Sequence, residues 1–164
     1  MAIVTTAFQA TPTSLAVTAL HSLASTSFWK SASIDFTTNS PVFVAVQVKL
    51  VTAATGAGLA TSYSNVMMAS SNDNTSFDAN ITPGDAVWSS TNPTTAEYSK
   101  SLMFLGRIAM GTTQTASYTW TGTFFVPPGS VPKYGVIVVE NQSNKALAAS
   151  GSAVSLLENK FTIT

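Results

Sequence analysis

An all-β, single-domain antiparallel β-sandwich, jelly-roll-like and of about eight strands, is the fold class this sequence predicts. Three observations carry the prediction. Residues 41–51 alternate strictly between two sets of side chains over a full strand length. Further β-rich runs recur between clusters of Gly, Pro, Asn, Asp and Ser. Only one stretch offers a helical period that competes with them. Patterning of this kind does not reveal strand order, so an immunoglobulin-like sandwich stays open beside the jelly roll. The reading divides the chain into residues 1–20, an N-terminal arm or first strand, and residues 21–164, the sandwich domain.

Taken in order, residues 2–10 are β-prone and uncharged. Residues 13–25 are ambiguous: a weak strand at 13–20 competes with a helix built on Leu15, Leu20 and Leu23. A short strand is expected at 32–37. In 41–51, Val42, Val44, Val46, Val48 and Leu50 point one way, and Phe43, Ala45, Gln47, Lys49 and Val51 the other. Pro41 opens that run, where a missing N–H does least harm. Residues 52–61 are small and read as a loop. Strands follow at 63–69, weakly at 85–88, and at 101–110.

In 115–126, Tyr118, Trp120, Phe124 and Val126 share a face with Gly122, opposite Thr119, Thr121 and Thr123. Pro127-Pro128-Gly129 stops that strand, because neither proline donates to a ladder. The last strands are expected at 133–140 and 153–163. Trp120 is expected in the core.

Composition turns the argument toward function. Of 164 residues only 9% are charged, there is no Cys, and His21 is the single histidine. Catalysis on polar substrates brings titratable groups together in a cleft, and here seven basic and seven acidic residues are scattered along the chain. A hydrophobic content of 45% and a mean hydropathy of +0.27 exclude intrinsic disorder. Net charge is zero, so no long-range field draws in nucleic acid or anionic lipid. No run is long enough to span a bilayer, and the first residues lack the pattern of a secretory signal. The chain is therefore expected to be made and to stay soluble in the cytoplasm, with no membrane partner. The glycosylation-type triplets at Asn74, Asn80 and Asn141 carry no weight without such a signal.

No motif assigns a cofactor. The loop Ser70 to Asp78 offers Asp73 and Asp78, but not the Gly and distal Glu of a calcium loop, and reads as an Asx-rich turn. Gly56-Ala57-Gly58 lacks the Lys and following helix of a phosphate loop. Zinc lacks ligands. His21 has no Cys or His partner, and no G-x-S-x-G elbow accompanies it. No catalytic residue is assigned, and a hydrolase is the least favoured class. The aromatics Phe28-Trp29, Trp88, Tyr98, Tyr118 and Trp120 suit a sugar-stacking platform or, as the leading reading, core or interface packing; Trp88, between polar residues, is the better surface candidate among them. Arg107, the sole Arg, stands between Leu105 and Ile108 and suits either an interface ion pair or a solvated edge. Ile3, Val4 and Phe8 mark the N-terminal segment as a candidate interface arm.

The C-terminal third adds a resemblance. Val126-Pro127-Pro128-Gly129, then Tyr134 to Val139, then Asn141-Gln142-Ser143, then Ala146 to Gly151 resemble the ending of small virion proteins of tailed bacteriophages. Leu23-Ala24-Ser25, Phe28-Trp29, Ile34-Asp35 and the turn Ser70 to Phe77 fit the same plan. The chain departs from it with Asn74 and Asn144 where Gly is expected, and Asn is the non-Gly residue that best tolerates the left-handed conformation. The resemblance implies a jelly-roll or sandwich protein on the capsid surface, acting as a decoration or cement protein. Its partners would be the major capsid protein and, at three-fold positions, two further copies in a homotrimer. A receptor- or glycan-binding module of a tail or head fibre is the alternative.

Overall fold

Val44, Val46, Val48 and Leu50 are wholly buried while Phe43, Gln47 and Lys49 are exposed, so the described part of that alternation, Phe43–Val51, is a strand with one face in the core, Pro41 and Val42 lying outside the described residues. The computed structural model describes residues 4–8, 11–37, 43–55, 59–89, 99–126 and 132–163. The side chains of 4–8, 99 and 160–163 are outside that description, as are Ile3, Pro41, Gly56-Ala57-Gly58, Tyr98 and the Pro127-Pro128-Gly129 turn.

Eleven strands occupy the described residues: β1 (Val4–Phe8), β2 (Thr13–Ser14), β3 (Ser27–Lys30), β4 (Ile34–Asp35), β5 (Phe43–Val51), β6 (Tyr63–Ser71), β7 (Ala86–Trp88), β8 (Met103–Ala109), β9 (Ser117–Phe125), β10 (Tyr134–Gln142) and β11 (Ala153–Ile163). All pairings are antiparallel. One sheet runs β1-β11-β5-β9, with β2 also on β11; the other runs β7-β3-β10-β6-β8, with β4 also on β10. β1 and β2 lie along successive parts of β11, and β3 and β4 along successive parts of β10. Each couple is one interrupted strand. Counted so, eight strands follow the jelly-roll order, with β7 added at an edge. The jelly roll is thus the arrangement adopted.

The two sheets close on one core. Trp29, Val66, Met68, Ile137 and Val139 from the second sheet meet Val44, Val46, Val48, Leu50, Val154 and Leu156 from the first. The second sheet is covered on its outer side too. There Phe28, Met67, Ala69, Trp88, Val136 and Val138 pack under Phe77, Ile81 and Leu102. Burial on both faces explains why Val136-Ile137-Val138-Val139 is an unbroken apolar run instead of an alternating one.

One expectation is corrected, and one strand was missed. Neither a full strand nor an α-helix forms in 13–25: β2 is followed by a 3₁₀ turn at Thr18–Leu20, which places Leu20 and Leu23 in the core. Apolar spacing there reflects two inward-pointing Leu residues on an irregular path. A strand at Ser27–Lys30, which had not been expected, supplies Trp29 to the core and Phe28 to the outer cluster.

Candidate binding surface

Trp88, one of the sequence-predicted candidates, is only 7% exposed. Its ring meets Phe28 edge-to-face at a centroid distance of 5.7 Å, within the outer apolar cluster. The expectation of a surface Trp is therefore corrected: polar neighbours in sequence misled, because β7 docks beside β3 and turns the indole inward. Trp120 is half-buried, with its ring across Gly106 of β8 and Gly122 of β9. Val4 and Phe8 belong to β1, paired with Ile163 and Asn159 of β11. His21 has its Nε2 3.2 Å from the Ser152 carbonyl.

The loop 70–78 behaves as an Asx-rich turn. Asp73 Oδ1 accepts from the backbone N–H groups of Thr75 and Ser76 and from Ser71 Oγ, while Asp78 Oδ2 accepts from Ser70 N–H and Oγ. The backbone bonds from Ser76 and Thr75 hold the Asp73 carboxyl far below the ordinary carboxylate range. An open groove of about 300 Å³ lies beside these groups. Its carboxylates are already committed to the turn itself. Asn74 and Asn144 take φ values of 62° and 61°, the left-handed region in which Gly would be at home.

Arg107 leads to the best-built surface. Arg107 of β8 faces Asn65 of β6, which faces Glu140 of β10, which faces Phe28 of β3, which faces Trp88 of β7. One cross-strand row thus runs the width of the sheet, with the two sequence-predicted candidates at its ends. The Trp88 end is capped. At the other end, Arg107 Nε donates to Asn65 Oδ1 at 3.0 Å, and Asn65 Nδ2 donates to Glu140 Oε2 at 2.6 Å. Gln142 Nε2 donates to Glu140 Oε1 at 2.9 Å. Arginine only donates and carboxylate only accepts, so a single orientation of the Asn65 amide satisfies both neighbours. The guanidinium carbon sits 4.0 Å from the centroid of the Tyr63 ring, in cation–π contact.

A β-bulge completes the patch. In a regular strand, residues 104 and 107 point to opposite faces. A register shift between Val66 and Met67 pairs Phe104 with Met67 while Arg107 still pairs with Asn65. Both are therefore on the outer face, and Phe104 is 56% exposed. Tyr63, Asn65, Phe104, Glu140 and Gln142 were missed in the sequence. Gln142 lay beyond the strand expected at 133–140; for the others the period-two placement within strands was visible, but not which strands pair, nor the bulge. A second apolar contact, Phe43 against Phe125 at 5.3 Å between ring centroids, lies exposed on the outer face of the other sheet.

No group of three His, Cys, Asp or Glu stands together among the described residues. No protein-family model and no curated protein matches the chain.

Proposed function

We propose that this chain is a structural virion protein of a tailed phage that binds the outside of the capsid and stabilises it, a decoration or cement protein. The observation that carries the surface-binding part is the Arg107–Tyr63–Phe104 patch, a rigid sheet face whose Arg is fixed before any partner arrives. Arg, Tyr and Phe are the residues that dominate protein contacts, and preorganisation lowers the ordering cost of binding. The virion assignment draws on the sequence resemblance above, since a fold by itself names no function. The partners are the major capsid protein and further copies of this chain at a three-fold position. Binding the assembled shell and not its free subunits stabilises by mass action, about 2.7 kcal/mol per site at a hundredfold excess over Kd.

The glycan-binding alternative has one supporting observation. Lys30, Asn80, Thr82, Trp88 and Ser89 line an open groove of about 340 Å³. Lys30 Nζ, whose pKa is lowered by desolvation, is tied there to the Thr82 carbonyl. Because the Trp88 ring is packed on Phe28, the groove lacks the open stacking face such a site uses.

Quantitative mass spectrometry on purified particles tests the assignment. A copy number in simple ratio to the major capsid protein is expected. A handful of copies moves the protein to a tail or fibre and favours the glycan reading; none overturns both.

A further inference from the structure

We infer that Arg107 is a carboxylate-recognition point, and that its ligand is an Asp or Glu side chain on the surface of a protein partner. The inference rests on reading this face as a contact surface, not on which assembly supplies the partner. Three geometric facts carry it. First, Nε is held by Asn65 and the guanidinium plane by Tyr63, while no described residue accepts from the Nη groups. The donor pair that binds a carboxylate in bidentate fashion is therefore oriented and open. Second, Glu140 is the nearest acid along the row, and its two oxygens are engaged by Asn65 and Gln142. Glu140 thus orients Arg107 through Asn65 without occupying its free side. A ligand approaches from the β8 edge, away from Glu140. Third, Phe104 stands exposed on the same face, and Arg107 lines neither groove described above. A flat face with an apolar residue beside a fixed cation complements an acidic protein surface, whereas small ligands are held in concave sites.

Asn65 and Glu140 are positioning residues in this scheme. Asn65→Ala removes the Nε anchor, and Glu140→Gln weakens the grip on Asn65.

Because the chain has one Arg, its arginine Nε–H gives a single, self-assigned signal in a ¹⁵N spectrum. The full-length ¹⁵N-labelled protein is titrated with hexaglutamate, with hexaglutamine as the neutral control. A saturable shift of that signal with hexaglutamate alone is expected. Backbone amides around Ser64 and Ile108 serve as reporters in the variants. Arg107→Lys is expected to weaken binding about tenfold, since a point charge replaces a bidentate fork. Asn65→Ala is expected to weaken it severalfold while the rest of the spectrum, and so the fold, is unchanged. A still Nε–H signal, or an equal shift with hexaglutamine, overturns the inference. Binding of an oligogalacturonate in place of the peptide overturns the protein partner. A correct copy number on particles with no hexaglutamate response would overturn this inference and leave the proposed function standing.

Discussion

Asp85 shows how much one side chain can organise in a chain with so few charges. Its carboxylate accepts from the Trp29 indole N–H at 2.7 Å and from the backbone N–H groups of Thr18 and Ala19. It therefore ties a core tryptophan, the 3₁₀ turn and the start of β7 together. Trp29 is completely buried, so removing its acceptor leaves a donor with no route to water. Asp85→Ala is expected to lower stability by about 1–3 kcal/mol in urea unfolding, mostly from that N–H. Asp85→Asn keeps an acceptor and should lose less. Equal and negligible losses would show that the indole finds another partner. Nothing local in the sequence marks this role for Asp85, because its partners lie 56 to 67 positions away. Local requirements were easier to read. Asn74 and Asn144 do carry positive φ, as expected where the resembling pattern has Gly. Asn141 was noticed as part of a glycosylation-type triplet and of the resembling C-terminal segment. Its Nδ2 binds the carbonyls of Leu23, Ala24 and Lys145, and its Oδ1 accepts from Ser143, a tertiary role invisible to local pattern.

At the scale of elements, β5 and β9 were read well because each has one face in the core and one in solvent, and strict alternation follows from that geometry. β3 was not read. Phe28 and Trp29 are adjacent and both buried, on opposite faces, so no alternation marks them. The β8 bulge was equally hidden, and with it the companionship of Phe104 and Arg107. Where β8 and β9 meet, the Trp120 ring lies so close to Gly106 and Gly122 that a methyl group on either would overlap it. The tryptophan thus closes the open side between the two sheets, over backbone that carries no side chain. Gly106→Ala and Gly122→Ala are each expected to cost about 1–3 kcal/mol through overpacking. Combining either with Trp120→Val should recover part of the loss relative to Trp120→Val alone, a non-additivity that a double-mutant cycle measures. Strict additivity would mean that the ring and the glycines do not constrain one another.

For the molecule as a whole, stability should be graded along a line from β10 to the termini. Residues 136–139 of β10 are wholly buried, pair with β6 throughout and with β3 at Val138 and Val139, and are packed on both faces. Their amides open only when the shared core opens. At the opposite extreme, Val4–Ala7 pair with Lys160–Ile163, past the last β11 residue that meets β5, Asn159. Among the described residues no third strand flanks that stretch, and a two-stranded ribbon is marginal in water. Native-state hydrogen exchange on the dilute protein should therefore place β10 amides near the global unfolding free energy and the β1–β11 ribbon several kcal/mol below it. Uniform protection in dilute solution would refute the gradient. Ribbon protection that rises with protein concentration, while β10 stays constant, would have a different meaning. It would show copies of the chain covering this edge, and would return the N-terminal strand to the role of an assembly contact.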